Sequence, residues 1–234
     1  MYRVAICLHG LVGNITGKSY KNETGSKAVL KIAAEHWYDK IVDVQKNTQV
    51  DFFTHSWSTE LEDKISSIFK PKKTIIEPQR VFEIPSYVRG DDNRKQAHWH
   101  RWYSCKRSVE IKRDYELEND FVYDCVMCAR YDLAWMKGPQ FKEHCQDYFY
   151  VSNWYDKSGR NTSPTTHKCK DLWFFSNSKN IDKFSSLYDK LDKYTQPGQS
   201  KDNKVYSRII MLTGYGNIPT AVAAIKQGAI DYLA

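Results

Sequence analysis

The sequence lacks any apolar run long enough to cross a membrane. Its early apolar stretch, Arg3 to Leu8, is much shorter than the core of a signal peptide with its flanks. The 6 cysteines are too few and too scattered to form a disulfide framework. We therefore expect a cytoplasmic protein with free thiols and no membrane span.

Composition and charge narrow the class of protein without fixing its function. Hydrophobic residues make up 41% of the 234 residues and charged residues 27%, which is typical of a folded protein rather than a disordered or fibrous one. A chain of this length can bury a sizeable core. The formal net charge of +7 favours anionic partners such as nucleotides, nucleotide sugars, acidic polysaccharides or nucleic acid, and does not choose among them.

The composition changes abruptly near Ser207. Alanine occurs 7 times before this residue and 5 times in the 28 residues from it onward, whereas all 7 tryptophans precede the change. A polar stretch that contains proline and glycine separates the two compositions. We predict an α/β domain at residues 1–194, a linker at 195–207 and a separate segment at 208–234, brought together by a gene fusion, a truncation or an assembly join.

The first 194 residues alternate between short apolar runs and segments in which apolar residues recur at helical spacing. Parallel βαβ units produce this alternation. We predict an α/β fold with a mostly parallel sheet and helices on both faces, as in Rossmann-like proteins. The predicted strands are Arg3–Leu8, Val50–Thr54, Lys73–Glu77 and Phe121–Ala129, and the predicted helices are Ser26–Val44, Thr59–Phe69 and Gln96–Leu117.

Two charged residues directly follow the most apolar of these strands. Arg130 and Asp132 are separated by Tyr131 at its carboxyl end. Open α/β sheets bind ligands outside the carboxyl ends of their strands, so this Arg and Asp are well placed to contact phosphate and a metal or ribose. The alternative is a structural ion pair at the end of a strand.

Four blocks in residues 1–205 resemble a bacterial and phage family of glycosyltransferase-like proteins with a GT-A-like fold. The blocks are VAICLHGLVGN from Val4, DFFTHSW from Asp51, SVEIKRDYE from Ser108 with VYDCVMCARYDL from Val122, and DLWFFSNSKNIDKFSSLYD from Asp171. The resemblance implies transfer of a sugar from a nucleotide-sugar donor to the hydroxyl of a glycan or another acceptor. In such an enzyme, Gly10 and Gly13 would let the first loop approach the nucleotide, while Arg130 and Lys106 would oppose the diphosphate.

The resemblance also implies two catalytic carboxylates. The segment from Arg130 to Leu133 matches the element that takes the part of the DxD motif in GT-A enzymes, so Asp132 would bind Mg²⁺ or Mn²⁺. Arg130 replaces the first acid of that motif, which leaves ribose binding by Asp132 as an alternative. Asp171 is the candidate base on the acceptor side. A solvated carboxylate in a turn is the alternative for Asp171.

Two further groups of residues allow a functional and a structural interpretation. Cys125 and Cys128 with His167 and Cys169 have the residue types of a zinc site, but two cysteines three apart on a strand point to opposite faces. This geometry disfavours zinc.

Histidines close to tryptophans form the second group. His98 and His100 with their neighbouring tryptophans have the composition of a stacking patch for nucleic acid, although a helix face packed on the sheet is favoured. His55 and Trp57 are interpreted as packing residues at a strand end, with a ligand-lining role as the alternative.

The C-terminal segment RIIMLTGYGNIPTAVAAIKQGAIDYLA, residues 208–234, resembles part of the receiver domain of redox-responding response regulators. It predicts a strand, a helix and a parallel strand. In that family, the position of Thr213 contacts the phosphoryl group, and the position of Tyr232 is an aromatic residue that reorients on activation. The resemblance supports an alternative function as a signalling or interaction protein of the receiver type, which takes part in a phosphorelay.

Phosphoryl transfer to a receiver needs a carboxylate nucleophile, carboxylate-bound Mg²⁺ and a lysine that opposes the charge. The family's acidic pair and phosphoacceptor Asp precede the matched segment, and Asp91 and Asp92 follow no predicted strand. The family's lysine would come directly after Ala234. We therefore predict that this receiver segment does not accept a phosphoryl group.

Overall fold

The computed structural model describes residues 1–13, 25–152 and 170–196. Within these ranges the α/β prediction is confirmed, because six strands form one mostly parallel sheet with helices packed on it. The strands are β1 Tyr2–Gly10, β2 Thr48–Ser56, β3 Lys73–Ile76, β4 Cys125–Arg130, β5 Tyr150–Ser152 and β6 Lys170–Ser176. The helices are α1 Lys27–Trp37, which continues in a π turn at Tyr38–Val42, α2 Glu62–Phe69, α3 Asp92–Glu118, α4 Ser178–Ser185 and α5 Leu191–Tyr194.

The strand order is β3-β2-β1-β4-β6-β5. The pairs β1–β2, β1–β4 and β2–β3 are parallel. Strand β6 pairs antiparallel with both β4 and β5. The chain moves outward from β1 to β3 and then returns to place β4 on the other side of β1. The direction of winding therefore reverses between β1 and β4, and a crevice forms at the carboxyl ends of the strands at such a point.

Helices cover both faces of the sheet, as predicted. Alternate residues of β1 point to opposite faces, so that Ile6 lies in the core under α1 and α2 while Cys7 lies in the core under α3 and α4. Trp37 and Phe69 fill the first core, and Trp102 is among the large side chains of the second. Helices therefore bury the sheet on both sides, and the almost continuously apolar sequences of β1 and β4 suit strands in this position.

Several element boundaries differ from the predictions, and the starts of α3 and β4 each differ by four residues. Helix α3 begins at Asp92 rather than Gln96, because the Asp91 carboxylate caps it and accepts a hydrogen bond of 3.1 Å from the Arg94 N–H. The strand predicted to start at Phe121 starts only at Cys125. The preceding residues turn back onto α3, as shown by the Phe121 N–H, which donates to the Glu116 carbonyl.

No helix in the described ranges combines the length and the apolar character that a bilayer crossing needs. The predicted linker and the segment at 208–234 lie outside the described residues, apart from residues 195 and 196.

Candidate binding cleft at the carboxyl edge of the sheet

A cleft of about 360 Å³ opens at the carboxyl ends of β1 and β4, where the strand order reverses. His9 and Gly10 from β1 and Arg130 from β4 lie along one wall. The sheet register pairs His9 with Arg130, so these residues are at the same level of the sheet edge. Trp57, just beyond β2, closes this side of the cleft. The position is the one at which open α/β sheets bind their ligands.

The first turns of α3 supply the opposite wall. Arg94, Ala97, His98 and Arg101 lie on one stripe of the helix, because residues three, four and seven apart share a face at 3.6 residues per turn. The full lining consists of His9, Gly10, Leu11, Trp57, Gln79, Asn93, Arg94, Gln96, Ala97, His98, His100, Arg101 and Arg130. Three arginines and three histidines are in this set and no carboxylate is, so the described lining favours an anionic ligand.

Arg130 and Asp132 form a bidentate ion pair. Arg130 Nε donates to Asp132 Oδ1 at 2.9 Å, and Nη2 donates to Oδ2 at 2.7 Å. The side chains are 23% and 13% exposed. The two predicted site residues are therefore brought together, but only Arg130 is among the residues that line the cleft.

The glycine turn after β1 packs against this pair. A Cβ atom added to Gly13 would lie 2.6 Å from Asp132 Oδ2, which is closer than real contacts allow. Gly13 therefore permits the approach of the turn to the carboxylate. Gly10 has another reason to be glycine, because its φ of +99° is a conformation that L-residues rarely adopt.

A chain of hydrogen bonds supports Gly10 from below. The Gly10 N–H donates to Ser104 Oγ at 2.7 Å, Ser104 Oγ is hydrogen-bonded to His55 Nδ1 at 2.7 Å, and His55 Nε2 is hydrogen-bonded to Glu77 Oε1 at 3.1 Å. Burial lowers the pKa of His55 to about 4, which keeps the ring neutral at neutral pH. Desolvation acts to raise the pKa of Glu77, but hydrogen bonds from Arg80 and His55 hold it below its usual value.

Of the two residues at the end of β2, one packs and the other lines the cleft. His55 is fully buried and has its ring nitrogens bonded as described, which agrees with the packing interpretation. Trp57 is 3% exposed and contributes to the cleft.

The histidines and tryptophans of α3 lie in different surroundings. His98 and His100 line the cleft, whereas Trp99 and Trp102 are buried. A stacking patch of exposed tryptophans is therefore not formed at this site.

The other predicted site residues lie apart from the cleft or outside the described part of the chain. Lys106 lies further along α3, where its Nζ is 2.5 Å from Asp189 and 3.6 Å from Glu110, and it is not in the cleft lining. Asp171 lies in β6, but its side chain is outside the description. Thr213 and Tyr232 also lie outside the described residues.

The described residues fit a divalent metal poorly. Mg²⁺ and Mn²⁺ prefer oxygen ligands, with carboxylates foremost. Both oxygens of Asp132 accept hydrogen bonds from Arg130. Across residues 1–13, 25–152 and 170–196, no group of three His, Cys, Asp or Glu side chains is arranged to hold a metal ion. For zinc, Cys125 and Cys128 lie in the cores on opposite faces of the sheet, as predicted.

The sequence predicted that basic residues of α3 oppose the diphosphate, but it pointed to Lys106 and not to Arg94 and Arg101, which line the cleft. Arg94 precedes the predicted start of the helix at Gln96, so it could not be assigned to the stripe that continues to Arg101. The available signal was the sequence Asp91-Asp92-Asn93, because Asp and Asn are preferred caps. With the helix started there, Arg94 and Arg101 fall on one face.

A second charged cluster is sealed between α3 and α4. Lys112 is fully buried, and its Nζ donates to Glu116 Oε2 at 2.8 Å, Ser178 Oγ at 2.6 Å and Asp182 Oδ1 at 2.7 Å. An ammonium group has three N–H donors, and all three are used. Desolvation acts to lower the pKa of Lys112, but the charge of Asp182 and the hydrogen bonds outweigh it and raise that pKa. This cluster was not predicted.

No family model matches the chain. Similar proteins share only a short stretch with it. The chain is 71% identical over 28 residues to the acid tolerance regulatory protein ActR of Sinorhizobium medicae (strain WSM419) and, equally, to that of Rhizobium meliloti (strain 1021). It is 58% identical over 33 residues to the photosynthetic apparatus regulatory protein RegA of Rhodobacter capsulatus.

These matches cover 12% to 14% of the chain, and the chain spans only 14% to 18% of the length of these relatives. Their extent is similar to that of the segment at 208–234, for which the sequence predicts a receiver fragment. The matches support a short receiver-type segment and do not support membership of a glycosyltransferase family. The chain therefore combines an α/β domain that matches no family model with a short stretch similar to response regulators.

Proposed function

We propose that the α/β domain binds a nucleotide sugar in the cleft and transfers the sugar to an acceptor hydroxyl. The observation that carries this proposal is the position of an arginine-rich and histidine-rich cleft beside the glycine turn, where the strand order reverses. A phosphate-bearing ligand suits this cleft, because arginine binds phosphate through charge-assisted and often bidentate hydrogen bonds.

In the proposed reaction, the bond between the sugar carbon and the diphosphate oxygen breaks, and a bond to the acceptor oxygen forms. The nucleoside diphosphate leaves with the electron pair, and the acceptor proton passes to a base. Arg130 would stabilise the charge that develops on the leaving diphosphate, and Gly10, which lines the cleft, would let the main chain approach it. Gly13 lies outside the cleft lining and packs against Asp132 instead. Asp171 as the base and Asp132 as a catalytic group remain predictions.

The proposal is tested by titrating the purified full chain with a panel of uridine, guanosine and cytidine nucleotide sugars, with and without Mn²⁺. We expect saturable binding of at least one donor, weakened about tenfold or more by Arg130→Ala, because a hydrogen bond to a charged group contributes about 1.5–3 kcal/mol. Arg113→Ala is the control for loss of an arginine, since this exposed residue of α3 lies outside the cleft lining. Failure of every donor to bind, or equal binding by both variants, would contradict the proposal.

The comparisons favour a second function, signalling of the receiver type, and give no support to the first. The observation behind it is the 71% identity over 28 residues with acid tolerance regulators. We propose that this segment is a docking surface rather than a phosphoacceptor. Incubation of the chain with acetyl phosphate should give no stable aspartyl phosphate, and appreciable labelling would show that the segment is a working phosphoacceptor.

A further inference from the structure

The lining of the cleft carries cationic side chains on two walls. Arg94 and Arg101 lie on α3, and Arg130 lies at the end of β4. Arg94 and Arg101 are seven residues apart, so they share a face of the helix and are separated by about 10 Å along its axis at 1.5 Å per residue. A ligand with two phosphate groups in the cleft can therefore meet guanidinium groups from both the sheet and the helix.

The Asp132 carboxylate, which pairs with Arg130, is committed to another role than binding a metal. To bind a metal ion, Asp132 would have to give up two hydrogen bonds of 2.9 and 2.7 Å to Arg130. Gly13 is packed so closely against Oδ2 that an added Cβ would lie 2.6 Å from it, so the carboxylate is held from two sides. Asp132 is also outside the cleft lining. Its contacts are those of a group that orients Arg130.

The ion pair involves Nε and Nη2 of Arg130, out of the five N–H donors that a guanidinium carries. Such a pair fixes the plane of the guanidinium before a ligand arrives. Because the side chain is already ordered, less conformational entropy is lost on binding. Orientation of this kind matters for arginine more than for lysine, whose ammonium group is a point charge without a plane.

We infer that the cleft binds the diphosphate of its ligand directly through Arg94, Arg101 and Arg130, without a bridging divalent metal, and that Asp132 is a positioning residue for Arg130. The inference rests on the proposed function for the identity of the ligand as a diphosphate. It differs from the expectation that Asp132 binds Mg²⁺ or Mn²⁺. The arginines take over the neutralisation of the diphosphate charge that the metal would otherwise provide.

The test measures binding of inorganic pyrophosphate and uridine diphosphate to the full chain by calorimetry, once in EDTA and once with Mn²⁺. We expect dissociation constants that agree within about threefold between the two media. Arg94→Ala, Arg101→Ala and Arg130→Ala should each weaken binding about tenfold or more in both media, while Arg113→Ala leaves it unchanged. Binding that is about tenfold or more tighter with Mn²⁺, with this gain lost in Asp132→Asn, would overturn the inference, and so would no binding in either medium.

The role of Asp132 is tested separately with Asp132→Asn. A positioning residue predicts weaker diphosphate binding by the same factor in EDTA and in Mn²⁺, because asparagine has one acceptor oxygen and would turn an NH2 donor toward the second guanidinium N–H. In the background of Arg130→Lys, which lacks the planar group, Asp132→Asn should have no further effect. Tighter binding by Asp132→Asn would show that the carboxylate only competes with the ligand, and additive effects would contradict orientation through Arg130.

The results separate this inference from the proposed function. Binding of pyrophosphate in EDTA without binding of any nucleotide sugar would support the arginine site and contradict sugar transfer. Binding of a nucleotide sugar only with Mn²⁺ would support the proposed function and overturn the metal-free site.

Discussion

The Lys112 cluster and the Arg130–Asp132 pair are built from the same kinds of charged group but differ in their surroundings. Lys112 is fully buried between two helices, with all its donors used inside the protein. Arg130 is 23% exposed and faces a cleft. A buried charge that loses its partner remains out of water, whereas a charge at a cleft can exchange its partners for solvent or ligand. The difference favours a structural role for Lys112 and is consistent with the proposed binding role of Arg130.

The largest change in stability is expected when Lys112 is replaced. Lys112→Met leaves the buried carboxylate of Glu116 and the partly buried carboxylate of Asp182 without their cation, so we expect a loss of about 3–5 kcal/mol in the free energy of unfolding, measured by urea denaturation. Adding Asp182→Asn to this variant removes one of the two orphaned charges and should restore part of the loss. A loss below about 1 kcal/mol for the single variant would contradict the structural role.

Lowering the pH should reduce the stability of the protein through His55, which is hydrogen-bonded beneath the cleft residue Gly10 by way of Ser104. The pKa of His55 is about 4 in the folded chain against 6.5 in the unfolded one, so the unfolded chain binds the proton first as the pH falls. The contribution of His55 to stability is therefore fully present above pH 6.5 and is lost as the pH falls to 4. The loss is on the order of 3 kcal/mol, at 1.36 kcal/mol per pKa unit. Urea unfolding at several pH values checks this, with His55→Gln expected to give a flatter profile. Identical profiles would contradict the assignment to His55.

A smaller effect is expected from crowding the pair at the cleft. Gly13→Ala would place a Cβ atom 2.6 Å from Asp132 Oδ2, and overpacking of this kind costs about 1–3 kcal/mol. We expect it to weaken diphosphate binding as well, because the displaced carboxylate no longer orients Arg130. Gly10→Ala separates strain from crowding, since its added Cβ meets nothing within 4 Å and only its positive φ is unfavourable. Unchanged stability and binding in Gly13→Ala would contradict the close packing.

The smallest change in stability is expected for Lys106, which lies on the same helix as Lys112. Lys106 and Asp189 are 24% and 50% exposed, and exposed ion pairs contribute about 0.2–1 kcal/mol. Lys106→Ala should therefore change the free energy of unfolding by less than about 1 kcal/mol in the same urea experiment. A loss comparable with that of Lys112→Met would show that exposure does not separate the two lysines.

Local sequence patterns were sufficient for much of the sheet. The buried runs that became β1 and β4 are apolar because both of their faces are covered, and this property is visible in the sequence itself. Strands β5 and β6 were not predicted. Both pair antiparallel through residues distant in the chain, and β5 has only 3 residues, so local periodicity carries little signal.

A charged cluster could be predicted only where the direction of a strand determines the position of the residues that follow it. Arg130 and Asp132 could be assigned to a ligand-binding edge because they follow the end of a parallel strand. Lys112 could not be recognised, because a lysine in a charged helix is ordinarily exposed. Its burial depends on Ser178 and Asp182, which are 66 and 70 residues away in sequence.

The most direct test of the account is a crystal structure of the full chain with uridine diphosphate, grown in EDTA. We expect the two phosphates to lie between Arg130 and the α3 stripe that contains Arg94 and Arg101, with Asp132 still paired to Arg130. A diphosphate held through a metal ion on Asp132, or located away from the ends of β1 and β4, would contradict it.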